Sequence, residues 1–137
     1  KAFTWLQTRG YEWQFFATPY GKKNRTTTTL AKKYHLQLRD ASSCGNRGFN
    51  RYVDPMTMYA LKYQEVESGD ATTIEEWQSW IDRTISGKEW LILVFHEVGP
   101  SGWCSEALFR QYCDYIKTKE QQGLIKVATM SQAYGFR

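Results

Sequence analysis

Two histidines, His35 and His96, are the first residues to consider for proton-transfer chemistry. His96 directly follows a run of six apolar residues, Trp90–Phe95. An imidazole placed where a buried segment ends can exchange a proton near neutral pH at the boundary between core and solvent. His96 is therefore a candidate general acid or base, and a hydrogen-bonded structural histidine is the alternative. His35 lies at the C-terminal end of a predicted helix, where the helix dipole favours a positive charge.

The metal-binding residue types are sparse and scattered. The three cysteines, Cys44, Cys104 and Cys113, are too few and too widely spaced for a disulfide framework or a CxxC zinc site. The two histidines lie 61 positions apart. Because a catalytic metal needs three convergent protein ligands and an open position for water, we assign no metal ligand in this chain.

Hydrophobic spacing and turn residues predict that helices and strands alternate along the chain. The elements predicted in the first 40 residues are a helix over Ala2–Arg9, a strand over Trp13–Ala17, a turn over Thr18–Gly21, a helix over Arg25–Tyr34 capped by Asn24, and a strand over Leu36–Leu38. The second helix contains four threonines, so packing by Leu30, Ala31 and Tyr34 is expected to hold it. A long loop over Asp40–Pro55 and a strand over Met58–Tyr63 follow.

The second half continues the alternation. Its predicted elements are a helix from Thr72 or Thr73 to Gly87, a strand over Trp90–Phe95, a helix over Glu106–Gln122, a strand over Leu124–Ala128 and a short helix from Ser131. The apolar stripe predicted for the longer helix consists of Leu108, Phe109, Tyr112, Cys113 and Ile116. Since strand and helix take turns throughout, we predict the α/β class, with five strands mostly parallel in one sheet and helices outside.

Candidate site residues follow three of these predicted strands. In α/β sheets and barrels, functional residues lie past the carboxyl ends of the strands, where the loops converge. Tyr20–Gly21 follow the first strand, Asp40 follows the second, and His96 follows the fourth. We therefore expect His96 and Tyr20 to face one cleft.

Length and composition limit the class of protein. A chain of 137 residues that is 42% hydrophobic and 23% charged is expected to fold as one domain. Its longest apolar run is too short to cross a bilayer, which needs about 20 residues. Lys1–Tyr63 carries 11 basic and 3 acidic residues, whereas Gln64–Arg137 carries 7 and 11. A polyanion-binding face or a solvated surface gives such a split, and we favour the solvated surface, with no nucleic acid as partner.

Four motifs, taken in order, resemble the second half of a known enzyme domain. They are Phe16-Ala17-Thr18-Pro19-Tyr20-Gly21 with Asn24, Arg39-Asp40, Trp90-Leu91-Ile92-Leu93-Val94-Phe95-His96-Glu97-Val98, and Ile125–Thr129. Their order and spacing are similar to those of polysaccharide deacetylases, the NodB-homology enzymes of carbohydrate esterase family 4. The resemblance covers essentially all of residues 1–137 and corresponds to the C-terminal half of that catalytic domain.

This resemblance implies part of a distorted (β/α) barrel that hydrolyses N-acetyl or O-acetyl groups on a polysaccharide, with a divalent metal, commonly zinc, activating water. It also implies an extracellular or cell-envelope location. Tyr20 matches the position whose backbone N–H stabilises the oxyanion, and His96 matches the general acid that protonates the leaving amine or alcohol. Asp40 lies near the motif that orients catalytic residues, and Pro19 and Gly21 flank Tyr20 in the substrate-binding motif.

The chain also departs from the family pattern. It lacks the Asp-Asp pair and the His-x-x-x-His pair that supply base and metal ligands in the family, and Ala17 stands where many members carry Arg. We therefore expect the metal to be bound by residues outside this chain and the isolated chain to be inactive. A complementary N-terminal segment or chain is the expected partner, and an open sheet edge predicts self-association. The alternative is a non-catalytic carbohydrate-binding remnant of the same fold.

Overall fold

The structure is a computed structural model that describes residues 2–19, 24–39, 48–51, 64–66, 72–99, 104–133 and 135. The described residues form two compact units. The first unit contains residues 2–19, 24–39, 129–133 and 135, and the second contains residues 48–51, 64–66, 72–99 and 104–128.

Helices and short strands alternate in both units. The helices are α1 (Ala2–Thr8), α2 (Arg25–Tyr34), α3 (Ile74–Gly87), α4 (Glu106–Gln121) and α5 (Met130–Ala133). The strands are β1 (Phe15–Ala17), β2 (Gln37–Arg39), β3 (Asn50–Arg51), β4 (Gln64–Val66), β5 (Glu89–Trp90) and β6 (Leu93–Phe95). Helices α1 to α4 begin and end within two residues of the predicted bounds, and α5 begins one residue before the predicted start at Ser131, so these predictions are confirmed.

Helix α2 is capped at its N-terminus by polar side chains. The Asn24 side chain accepts a hydrogen bond from the Thr27 N–H at 2.8 Å, and the Thr27 hydroxyl accepts one from the Asn24 N–H, which completes a capping box. Ala31 is buried as predicted, but Leu30 and Tyr34 are exposed. The prediction of packing is therefore wrong for Leu30, whereas the Tyr34 ring contacts the Phe3 ring with centroids 5.8 Å apart.

His35 joins the end of α2 to the start of β1. Its Nδ1 donates a hydrogen bond to the Trp13 carbonyl at 2.5 Å, and its ring stacks on Phe16 with centroids 4.9 Å apart. The following strand, β2, pairs with β1 in parallel, with Phe15 opposite Gln37. The sequence predicted only a favourable charge at the end of the helix. In the structure, His35 also links α2 to the segment around β1 through this hydrogen bond and this ring contact.

The core of the second unit is formed by α3, α4 and β6. The buried residues of this core cluster are Trp77, Ile81, Cys104 and Tyr112. Trp77 meets the ring of Tyr112 edge to face at 4.8 Å. Such pairs add about 0.5–1.5 kcal/mol beyond the apolar area that they bury.

The predicted continuous strand Trp90–Phe95 is divided in two. Strand β5 pairs antiparallel with β3, whereas β6 pairs parallel with β4. Neighbouring parts of one apolar run therefore bond to partners that run in opposite directions, and residues 91 and 92 connect them. The Ile92 carbonyl, in this connection, still accepts a hydrogen bond from the Gln64 N–H at 2.9 Å.

The predicted strand Leu124–Ala128 is wrong, because these residues are irregular. The Val127 N–H donates to the Glu120 carboxylate at 2.8 Å, so a helix side chain takes the place of a strand partner. Leu124 and Val127 are exposed, and only Ile125 of this apolar run packs on the core.

Other predictions fall outside the described residues. The strand Met58–Tyr63 lies there entirely, as does most of the loop Asp40–Pro55, within which β3 is described. The described strands form two parallel pairs and one antiparallel pair, each of two strands. They neither confirm nor exclude a partial barrel, so the α/β barrel architecture stays a prediction.

Candidate functional site

His96 emerges from the carboxyl end of a parallel strand pair. Strands β4 and β6 run side by side in register, with Val66 opposite Phe95, and His96 is the next residue. Phe95 is held edge to face by Trp77 at 5.7 Å and by Phe109 at 5.1 Å. The residue before His96 is therefore anchored in the core, while His96 itself is exposed.

The backbone after His96 is also fixed by hydrogen bonds. The Cys104 N–H donates to the Glu97 carbonyl at 3.1 Å, and the Gly99 N–H donates to the Cys104 carbonyl at 3.0 Å. Cys104 is buried, and burial raises the pKa of its thiol. His96 thus sits between two anchored residues, an arrangement that presents an imidazole to solvent at a defined place.

The other predicted site residues belong to the first unit or lie outside the described residues. Pro19 is exposed, follows β1 by two residues and belongs to the first unit, whereas His96 belongs to the second. Tyr20, Gly21 and Asp40 lie outside the described residues. The common cleft of Tyr20 and His96 therefore stays a prediction.

A divalent metal would need oxygen, nitrogen or sulfur donors that converge on one point. Among the described residues, no group of three His, Cys, Asp or Glu side chains is close enough to hold a metal ion. A catalytic metal needs such a set, so this part of the chain does not fit a metal by itself.

A groove along α4 begins close to His96 and was missed in the sequence. We call it the α4 groove; it has a volume of about 520 Å³ and is lined by Val98, Glu106, Phe109, Arg110, Cys113 and Asp114. The sequence placed Cys113 on the core stripe of this helix, but Cys113 is exposed. It lies at the edge of that stripe, where helical spacing alone does not separate core from groove.

The polar side chains of the α4 groove are partly paired. Arg110 donates two hydrogen bonds to one carboxylate oxygen of Glu106, and this contact raises the pKa of Arg110. Asp114 has no ion-pair partner among the described residues. Partial burial and the negative charge of Asp114 raise the pKa of the Cys113 thiol, whereas Arg110 lowers it.

A second exposed feature lies in the first unit. Trp5 and Tyr11 are about half exposed and stack with centroids 5.9 Å apart and planes 16° apart. The Arg9 guanidinium lies 4.3 Å from the centre of the Trp5 ring. Exposed aromatic rings of this kind can stack on sugars or on bases.

Comparison with known proteins gives no assignment: no family model matches the chain, and no curated protein or solved structure does so. Within the described ranges, no helix is both long and apolar enough to cross a membrane.

Proposed function

We propose that this chain is the C-terminal part of a polysaccharide deacetylase, a metal-dependent hydrolase that removes N-acetyl or O-acetyl groups. The observation that carries the proposal is the position of His96, exposed and anchored directly after a parallel strand pair. The family motifs around Pro19, Tyr20 and His96 supply the reaction class. An extracellular or cell-envelope location belongs to the same proposal.

In this function His96 is the general acid. As the bond from the acetyl carbon to the leaving group breaks, the imidazolium donates its proton to the nitrogen or oxygen that departs, so that a neutral amine or alcohol is released. The backbone N–H of Tyr20 donates to the developing oxyanion, Pro19 and Gly21 position the substrate, and Asp40 orients the catalytic groups. Metal and base come from residues outside this chain, in a complementary segment or polypeptide.

The test is acetate release by the enzyme assembled with the segment that supplies metal and base. His96→Ala is expected to lower kcat by about 10²–10⁴, the usual range for a general acid, and to leave metal affinity unchanged because His96 is not a ligand. Glu97→Ala is the matched control, since Glu97 is the next exposed residue and only its backbone makes the anchoring contact with Cys104.

Two results would contradict the proposal. An unaffected kcat in His96→Ala removes the general-acid role, and acetate release by the isolated chain with added zinc removes the argument that metal and base lie elsewhere.

A non-catalytic carbohydrate-binding remnant is the second candidate. The exposed, stacked rings of Trp5 and Tyr11 favour it, because aromatic faces bind sugars without any catalytic group. Binding of oligosaccharides that is lost in Trp5→Ala, together with no acetate release from the assembled protein, would select this candidate over the hydrolase.

A further inference from the structure

The α4 groove is of a size suited to binding part of a ligand. Its volume of about 520 Å³ lies within the range of about 300–1,000 Å³ that is typical of small-molecule sites. Its lining combines apolar side chains, Val98 and Phe109, with two carboxylates and one guanidinium. A pyranose ring needs this combination, because its C–H faces are apolar while its hydroxyl groups both donate and accept hydrogen bonds.

The groove also begins next to the candidate general acid. Val98 is the second residue after His96, so their Cα atoms are at most about 7 Å apart. A polymeric substrate whose reacting sugar is at His96 must lie across the neighbouring surface. One such surface is the groove between Val98 and the first turns of α4.

The charge of the groove selects among sugars. Arg110 is neutralised by Glu106, so the carboxylate of Asp114 leaves the groove with a net negative charge. A negative groove repels a uronic acid and attracts the ammonium group of a sugar that has already lost its acetyl group.

We propose that the α4 groove is a subsite for an amino-sugar residue adjacent to the reacting sugar, and that it prefers the deacetylated, cationic form of that residue. This inference rests on the proposed function and names the substrate class at the same site. Glu106 and Asp114 accept hydrogen bonds from hydroxyl and ammonium groups, and Phe109 contacts the apolar face of the ring. An enzyme with such a subsite acts preferentially beside residues that are already deacetylated.

Cys113 provides a readout that does not depend on catalysis. Its thiol is exposed in the groove, whereas Cys104 is buried in the core and serves as the internal reference. Alkylation by N-ethylmaleimide at slightly acidic pH, where the amines of the glucosamine hexamer are protonated, is followed at each cysteine by mass spectrometry. The probes are a glucosamine hexamer, an N-acetylglucosamine hexamer and an oligogalacturonate, each added separately to the full chain.

We expect the glucosamine hexamer to slow alkylation of Cys113 several-fold, the N-acetylglucosamine hexamer to slow it less, and the oligogalacturonate to have no effect. The protection by glucosamine should weaken as NaCl rises from about 50 to about 500 mM, because salt screens exposed charges. Asp114→Asn should remove most of the preference for glucosamine. Since this variant also alters the reactivity of Cys113 itself, each rate is compared with the same variant without sugar.

Asp82→Asn is the matched control, because Asp82 is an exposed aspartate of α3 that does not line the groove. Equal behaviour of the two Asp→Asn variants, or unchanged alkylation of Cys113 with glucosamine hexamer, would overturn the inference. Equal protection by the oligogalacturonate would overturn the charge preference. Acetate release is not measured here, so failure of the groove leaves the His96 result standing, and failure at His96 leaves the protection result standing.

Discussion

Tyr112 is the residue at which burial and polarity conflict most clearly. Its side chain is 1% exposed and its hydroxyl has no hydrogen-bond partner within the described part of the chain. Burial raises the pKa of the phenol far above its usual value, so the group stays neutral. An unpaired buried hydroxyl costs about 1–3 kcal/mol of stability.

Tyr112→Phe keeps the ring that packs on Trp77 and removes only this hydroxyl. We therefore expect the free energy of unfolding, measured by urea denaturation, to stay the same or to rise by about 1 kcal/mol. Tyr115→Phe is the matched control, because the Tyr115 hydroxyl donates to the Asp82 carboxylate at 2.8 Å and its loss should lower the free energy by about 0.5–1 kcal/mol. A larger loss in Tyr112→Phe than in Tyr115→Phe would show that the buried hydroxyl has a partner.

The loss of stability expected for Tyr115→Phe depends on pH. The hydrogen bond from Tyr115, and then the nearby Lys119, lower the pKa of Asp82 below its ordinary value of 3.8. A lowered carboxylate pKa contributes stability above the ordinary value, and this contribution is lost as pH falls through the folded-state pKa. The deficit of Tyr115→Phe should therefore shrink in acid.

The sequence is sufficient to predict His96 as a site residue, but it is not sufficient to predict the α4 groove. The end of an apolar run is visible in a linear sequence, and so His96 could be selected. The groove depends on Val98 lying beside α4, a tertiary contact that no local pattern records. The residues of α4 that line the groove alternate with those of the core stripe, so helical spacing predicts a core position for Cys113 although its side chain is exposed.

Helices α3 and α4 are each followed by a residue in the left-handed backbone conformation, but the two residue types differ. Helix α3 ends at Gly87, but the left-handed residue is the next one, Lys88, at φ 49°. After α4, Gly123 takes the left-handed conformation at φ 71°, as a predicted helix stop should. A side chain in this conformation costs about 1 kcal/mol, whereas glycine adopts it freely.

Exchanging these residue types should change stability in opposite directions. Lys88→Gly is expected to raise the free energy of unfolding by about 0.5–1 kcal/mol, and Gly123→Ala to lower it by about 1 kcal/mol, in thermal or urea unfolding. No atom lies within 4 Å of the position of a Cβ at Gly123, so a loss there reports backbone strain and not a clash. Lys117→Ala, at an exposed helical position, is the reference and should change little. The same sign for both variants would contradict the argument.

Elements defined by local chemistry were predicted well, and elements defined by distant partners were not. Asn24 and Thr73 cap helices through hydrogen bonds three residues away, so their helices could be located. The split between β5 and β6 and the missing strand at Leu124–Ala128 depend on which chain segments lie alongside. Hydrophobicity alone does not contain that information.

For the whole molecule, the distribution of apolar and charged groups predicts self-association. The described strands pair only two at a time, and Leu30, Leu124 and Val127 are about half exposed or more. Open strand edges and exposed apolar side chains favour contact with another chain. We expect the isolated chain to sediment as a species larger than a monomer.

Sedimentation velocity at low and high salt tests this expectation. Association through apolar contacts should persist in about 500 mM NaCl, whereas association between the basic first half and the acidic second half should weaken. A monodisperse monomer at both salt concentrations would contradict the prediction of self-association.

The division of one apolar run into β5 and β6 also affects the rate at which the second unit folds. Asn50 and Trp90 are 40 positions apart, and Gln64 pairs with Leu93 across the whole of α3. Bringing such distant segments together costs conformational entropy before the strand-pairing contacts form. Strands with non-local partners therefore pair slowly. Helix α3 needs only local contacts and can form early, between the two segments that it must bring together. The rate-limiting step of folding is therefore expected to be the pairing of β3 with β5 and of β4 with β6. We expect the core around Trp77 to be completed in the same step.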